Sequence, residues 1–330
     1  CCYPRRQAQA GGYGLAFFQG NSLSASFASA LNAARDAAAA QHYPQGALYV
    51  VATPIGNLAD ITLRALHVLQ LADAIACEDT RHTQSLLRAY GIDKPAERLL
   101  AVHQHNEAQA AQAVIERLHA GQRVAYVSDA GTPGVSDPGA RLAAAMQAAG
   151  LRCIPLPGAS SVTTAVSVAG AITHTPESGG FLFAGFLPTK SAERAATVQR
   201  LAAEPRCVVL LEAPHRILDL AQALAMLGER PVTLARELTK QFEAISTHAA
   251  QDLAAWLQGA PQRVKGEFVV LLHPAPVPQG DAGAAERVLR LLLAELPTKT
   301  AVKLAADITQ APRNALYELA LQIKRDPHVE

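Results

Sequence analysis

No run of apolar residues in this chain approaches the ~20 that a bilayer crossing requires, so no membrane span is expected. Aromatic side chains make up only 5% of the sequence, with a single Trp, which excludes a broad base-stacking platform. Neither sign of charge dominates. The net charge is +1, so the chain as a whole is no polyanion binder, and any contact with nucleic acid falls to a local patch. Cysteine is sparse. Cys1 and Cys2 are adjacent, while Cys77, Cys153 and Cys207 lie in or beside apolar runs, and none forms a C-x-x-C pair. Neither a zinc site nor a disulfide framework is suggested; buried thiols in a reducing, cytoplasmic compartment are expected. Three familiar signatures are also missing. There is no G-x-x-x-x-G-K-[ST] phosphate loop, and no G-x-S-x-G nucleophile elbow. The first strand is followed by Thr53-Pro54-Ile55-Gly56-Asn57 rather than G-x-G-x-x-G.

What is present is a globular pattern. Half of the 330 residues are hydrophobic and 17% are charged, enough for a large core and for two or three domains. Residues 1–46 differ from the rest. Arg5 and Arg6 precede a weak apolar patch, Leu15–Phe18, that is too short for a signal sequence. The segment is read as a mostly disordered extension in which the Ala-rich stretch Ala28–Ala40 could form a helix.

From residue 47, short apolar runs alternate with helical patterns. Leu48–Ala52, Ala74–Cys77, Leu99–Val102, Val124–Val127 and Cys153–Leu156 are predicted strands. Asp60 is the expected cap of a helix running to Leu71, and Asp137-Pro138 the expected start of one that stops at Gly150. This predicts a parallel-rich sheet with helices on both faces over residues 47–157. A second αβ domain is expected over 158–273, with strands at Phe181–Phe186, Cys207–Leu211, Val232–Ala235, about Ala244–Thr247 and Phe268–Leu272; hairpin-like spacing near its end implies a mixed sheet. A Pro- and Gly-rich linker, 274–283, leads to three helical stretches in 284–330. The last two resemble a helix-turn-helix, though a small packing appendage fits the same pattern.

Five polar loops follow predicted strand ends, where open α/β sheets place ligands. The longest, Ser128–Ser136, exceeds the usual span of about 2–6 residues and carries more polar groups than a tight turn needs. Glu78, Asp79, His103, His105, Asp129 and His215 match no metal-binding spacing, and no metal is expected.

Six stretches, in order, form a recognisable set: Ala52-Thr53-Pro54-Ile55-Gly56-Asn57-Leu58, Glu78-Asp79-Thr80-Arg81-His82-Thr83, Ser128-Asp129-Ala130-Gly131-Thr132-Pro133-Gly134, Pro157-Gly158-Ala159-Ser160-Ser161, Glu212-Ala213-Pro214-His215-Arg216 and Ala235-Arg236-Glu237-Leu238-Thr239-Lys240. Together they resemble the ribosomal RNA small subunit methyltransferase I family, of the tetrapyrrole-methylase fold. The resemblance covers about 47–273, and 284–325 is similar to that family's C-terminal helical domain; residues 1–46 depart from it.

The resemblance implies two αβ domains with a cleft between them, S-adenosyl-L-methionine as cofactor, and a homodimer. It implies methylation of a cytidine ribose 2′-hydroxyl in the decoding region of 16S rRNA, within the 30S subunit. It places Pro54, Ser128, Asp129, Ala130, Thr132, Pro133, Ser160, Ser161, Ala213 and Glu237 at the cofactor. Methyl transfer needs in-line positioning and help in removing a proton from a weakly acidic hydroxyl. Glu78, Asp79, Arg81 and Lys240 are the candidates for that work, Arg81 as a phosphate fork and Lys240 as base or phosphate contact. Two other activities remain open: a small-molecule methyltransferase of the same fold acting on a tetrapyrrole or corrinoid, and a metal-dependent hydrolase.

Overall fold

The structure is a computed structural model that describes residues 27–103, 106–171, 180–275, 282–309 and 311–325. Most of the expected N-terminal extension, His105 and most of the expected linker lie outside the described residues.

The chain enters through α1 (Ala28–Ala38) and runs β1 (Ala47–Val51), α2 (Leu63–Leu71), β2 (Ala74–Cys77), α3 (Thr80–Ala89), β3 (Leu99–Ala101), α4 (Glu107–His119), β4 (Val124–Val127), α5 (Gly139–Ala148) and β5 (Arg152–Leu156). The five strands form one sheet in the order β3-β2-β4-β1-β5, every pairing parallel. Alternation along each strand divides the side chains between two cores. Tyr49, Val51, Ile75, Cys77, Ala125 and Val127 face α1, α2 and α3. Leu48, Ala74, Ala76, Val124 and Tyr126 face α4 and α5. These runs are apolar on both faces because both faces are covered.

One local expectation is corrected and one is completed. Asp60 does not cap α2; it ends a short 3-10 turn, and Thr62 is the cap, its Oγ1 accepting the Ala65 N–H at 3.1 Å. The helix allowed for in Ala28–Ala40 forms as α1, and what the sequence did not show is its packing: Ala34, Ala38 and Tyr43 are buried in the first core. Its small Ala face lets α1 lie close on α2, a contact that composition alone does not reveal.

The second half runs α6 (Ser161–Val168), β6 (Phe181–Gly185), α7 (Ser191–Leu201), β7 (Cys207–Glu212), α8 (Ile217–Leu224), β8 (Pro231–Arg236), β9 (Ala244–Ala249), α9 (Leu253–Gln258) and β10 (Phe268–Leu272). Its sheet order is β6-β7-β10-β8-β9, with β6 and β7 parallel and the remaining pairs antiparallel, a mixed sheet. One face packs on α7, α8 and α9 through Val208, Leu210, Val232, Leu234 and Val270. The other, with Val209, Ala235, Val269 and Leu271, packs on α6 and on Ile55 from the first half. Three helices, α10 (Ala282–Glu295), α11 (Thr298–Thr309) and α12 (Arg313–Arg325), then close around Leu289, Ala301, Val302, Ala305, Leu316 and Ala320.

Candidate active site

The parallel order brings the exits of β1, β2, β4 and β5 to one edge of the first sheet. The loops there are tied to one another. Thr53 and Gly131 exchange two backbone hydrogen bonds, each 3.0 Å. Thr53 Oγ1 donates to the Ser128 carbonyl at 3.3 Å, and Thr132 Oγ1 donates to the Ala159 carbonyl at 2.9 Å. The buried Ser128 hydroxyl donates to the carbonyls of Ala130 and Gly131. Ser128 and Thr132 therefore commit their hydroxyls to the loop, and Pro54 and Pro133 are buried within it. Asp137 closes the far end: its carboxylate accepts the N–H groups of Gly134 and Gly139, both at 2.7 Å, and the Tyr126 hydroxyl at 3.1 Å.

Glu78 and Asp129 follow adjacent strands and meet. Glu78 Oε1 accepts the Asp129 N–H at 3.0 Å. Burial pushes the Glu78 carboxyl up to about 7; the Asp129 N–H opposes the rise, while the Asp129 and Asp137 carboxylates add to it. Burial raises Asp129 as well, against the pull of His82. One Asp129 oxygen, Oδ1, is buried with no hydrogen-bond partner among the described residues. Asp79 is occupied otherwise. It is the N-cap of α3, its Oδ1 accepting the N–H groups of Arg81 at 2.8 Å and His82 at 3.2 Å. Arg81 stands exposed on the first turn.

Opposite lies the turn after β8, where Glu237 (φ 52°) and Thr239 (φ 66°) adopt the left-handed conformation that side chains rarely take. Its own contacts hold it. Glu237 Oε1 accepts from Lys240 Nζ at 3.0 Å and from the Glu267 N–H at 2.9 Å. Lys240 Nζ lies 3.2 Å from Glu267 Oε2, so two carboxylates fix the ammonium group. Thr239 Oγ1 accepts the Asn57 N–H at 3.1 Å, joining this turn to the loop after β1. Gly266 (φ 95°) lets the backbone pass Glu237; a Cβ there would meet Glu237 Cγ at 2.6 Å.

Between the two edges is a cleft of about 530 Å³. Ile55 and Ala130 wall it from the first half, and Ser161, Leu211, Ala213, Ala235, Leu238 and Val269 from the second. Its volume and apolar lining with a few polar groups suit a nucleoside-sized ligand. Of the cofactor and catalytic candidates named from the sequence, Ala130, Ser161 and Ala213 line this cleft, as does His215. Pro54, Ser128, Asp129, Thr132, Pro133 and Ser160 belong to the loops that shape it without lining it, and Glu237 and Lys240 flank Leu238 on the second wall. Glu78, Asp79 and Arg81 belong to the exit of β2, beyond β4 as seen from β1.

Sequence reasoning quoted Glu212 within a motif block without giving it a role, and gave Glu267 none. Glu212 ends β7 with its side chain 1% exposed, paired through Oε1 to Arg216 Nε at 3.3 Å and to the Ala213 N–H at 2.9 Å. Burial raises its carboxyl, opposed by that N–H bond and by Arg216 and Arg194. The available signal was a charged residue closing a buried apolar run, with Arg four positions on. Arg216 is turned inward by Glu212 and by a 2.6 Å bond to the Leu187 carbonyl. Among the described residues, no three His, Cys, Asp or Glu side chains cluster as a metal site, and no helix is long and apolar enough to cross a membrane.

Residues 47–254 match the Tetrapyrrole (Corrin/Porphyrin) Methylases family, and 279–324 match the RsmI C-terminal HTH domain. The chain is 48% identical to "Ribosomal RNA small subunit methyltransferase I" of Escherichia coli O157:H7, over 84% of this chain and 96% of that protein. Identity to the protein of the same name from Pseudomonas aeruginosa is 46%, over 84% and 97% of the two chains. Among solved structures, the cobalt precorrin-4 methyltransferase CbiF aligns with a TM-score of 0.52 at 19% identity, covering 70% of this chain and 98% of its own. A diphthine synthase aligns at 0.51 and 16% identity, covering 69% and 90%. These two share the fold.

Proposed function

Because the chain belongs to the ribosomal RNA small subunit methyltransferase I family, we propose that it transfers the methyl group of S-adenosyl-L-methionine to the 2′-hydroxyl of a cytidine in the decoding region of 16S rRNA. One observation carries this reading: the relationship extends over nearly the full length of the curated relatives, three-helix segment included. CbiF, a corrinoid enzyme, is covered almost completely by 70% of this chain, so it has no counterpart for much of the remainder. That favours the RNA substrate over a small tetrapyrrole.

The cleft fits the donor. Small side chains at Ala130, Ser161, Ala213 and Ala235 leave space for an adenosine, and the tied loops offer backbone groups to its polar ends. The bound donor supplies an electrophilic methyl group on a sulfonium centre. The rest falls to this chain. Tying the two edges together fixes the walls against each other, which serves in-line alignment. Glu78, with a carboxyl poised near 7, takes up the hydroxyl proton at neutral pH. Lys240, held by Glu237 and Glu267, presents a fixed positive charge to a phosphate or to the developing alkoxide. Asp79 sets the first turn of α3, from which Arg81 reaches an RNA phosphate. In this reading the enzyme is a cytoplasmic homodimer that acts on the 30S particle.

The test uses 30S subunits from cells lacking the enzyme and donor labelled in its methyl group. Label recovered on a cytidine 2′-oxygen after nuclease digestion is the expected result. No transfer by a protein that binds S-adenosylhomocysteine in calorimetry would overturn the rRNA reading. Light scattering of the purified protein tests the dimer.

A further inference from the structure

The sheet does little to hold the cleft wall that follows β6. That strand is an outer one and pairs with β7 alone. Its register shifts between Phe183 and Gly185, and Gly185 (φ 65°) turns the chain out of the sheet. In the loop that follows, Phe186 and Thr189 line the cleft, while Leu187 is buried in the second core. Pro188 has no N–H to give. Among the described residues, no backbone N–H reaches the carbonyls of Leu187, Pro188 or Thr189. Two arginines reach them instead. Arg194, 6% exposed in the first turn of α7, donates through Nη1 to the Thr189 carbonyl at 3.0 Å and the Pro188 carbonyl at 3.4 Å. Arg216, the N-cap of α8, donates through Nη2 to the Leu187 carbonyl at 2.6 Å and the Pro188 carbonyl at 3.4 Å. Three consecutive carbonyls are thus held by two guanidinium groups.

Burying a guanidinium is costly, and packing alone would be served by an apolar side chain of similar length. An ion pair does not account for Arg194. The Asp219 carboxylate stands 3.7 Å away on a side chain 59% exposed, a pairing worth little. What Arg194 engages is the loop backbone. Arg216 lies on the cleft lining and Arg194 does not, so Arg194 can act on a ligand only through the loop. Resting on the reading of the cleft as the donor site of a methyltransferase, we propose that Arg194 is a positioning residue: it fixes the loop 186–190 as a wall formed before the donor arrives. Arg216 shares this work from the cleft side. A wall ordered in advance spares the ligand the entropy of ordering it, and the saving appears as affinity. Once donor is bound the loop is ordered in either case, so the effect falls on binding rather than on the transfer step.

The test substitutes Arg194 in the full chain and measures binding and turnover separately. Arg194→Met keeps the length of the side chain and removes its donors. Calorimetry is expected to show S-adenosylhomocysteine bound about 10-fold more weakly than by wild type. KM for S-adenosyl-L-methionine should rise by the same factor, with kcat on 30S subunits within about threefold. Arg194→Lys, which can still donate to one carbonyl, should bind about threefold more weakly than wild type. Hydrogen exchange at Leu187 and Thr189 should quicken in the free Arg194→Lys enzyme and regain wild-type protection with S-adenosylhomocysteine bound. The control is Arg230→Ala, which removes a buried arginine bonded to carbonyls away from the cleft. At a temperature where it is folded, it should bind S-adenosylhomocysteine within about twofold of wild type. Wild-type affinity in Arg194→Met would overturn the inference, as would a fall in kcat with KM unchanged. Equal losses of affinity in Arg194→Met and Arg230→Ala would also overturn it, by tracing both to general loosening. If Arg194→Met does not fold, Arg194→Lys decides: wild-type exchange and affinity in that enzyme overturn the inference. A wild-type protein that binds no S-adenosylhomocysteine would sink the donor-site reading itself, a separate failure seen before any variant is made.

Discussion

A Cβ placed on Gly56 would stand 2.5 Å from Cγ of Lys240. The loop after β1 and the turn after β8 therefore touch at van der Waals limits, and only a residue without a side chain fits between them.

Gly56→Ala would also meet Thr239 Oγ1 at 2.8 Å and the Leu238 carbonyl at 3.0 Å. The Lys240 chain can yield, but the backbone carbonyl yields less easily, so the two edges must part. We expect a loss of about 1–3 kcal/mol in urea unfolding. Methyl transfer should fall by more than about tenfold, because the displaced turn carries Lys240.

The raised carboxyl of Glu78 gives a pH signature. A carboxyl moved from 4.5 to about 7 on folding binds more protons in the native than in the unfolded state between those values. Stability from this group is therefore complete below about pH 4.5 and falls as pH rises toward 7. Glu78→Gln keeps an oxygen for the Asp129 N–H and removes the charge. It should melt a few degrees higher than wild type at alkaline pH, equal it in acid, and lose methyl transfer. Parallel melting curves across that range would contradict the assignment.

Asp137 accepts three hydrogen bonds, two of them from the backbone of the long loop and the start of α5. Asp137→Ala should cost about 1–2 kcal/mol, the worth of a lost cap. Its larger effect should be on S-adenosylhomocysteine affinity, measured by calorimetry, because Gly134 is released and the loop loosens.

Arg230 tests the opposite case, a charged residue with no part in the cleft. It is 3% exposed and donates to the carbonyls of His273, Leu201, Ala202 and Glu204. Arg230→Ala removes a donor from four carbonyls, of which Leu201 and Glu204 keep a backbone N–H partner, and denaturant unfolding should show a loss above about 3 kcal/mol. Residual activity per folded molecule at low temperature should match wild type.

The sequence alone determined the first sheet, the mixed character of the second and the three closing helices. Apolar runs such as Val124–Val127 are too short for a buried helix and fit central strands, and turn residues such as Pro157-Gly158 end the next of them, Arg152–Leu156. Ordered motif blocks determined the family, because their spacing reflects one set of strand ends. Side-chain assignments within those blocks belonged to the tertiary structure. Asp79 reads as chemistry and serves as a cap, because the N–H groups of Arg81 and His82 lie within its reach. Glu212 reads as the first residue of a loop block, yet it closes β7, and folding buries it beside Arg216 with one oxygen unpaired. Ala34 and Ala38 read as part of a possible Ala-rich helix, but that the helix packs on the first core is not legible in its composition. Local periodicity reports which residues leave water. Which polar atoms meet, and which are left without a partner, depends on strands far apart in the chain, and only the folded arrangement decides it.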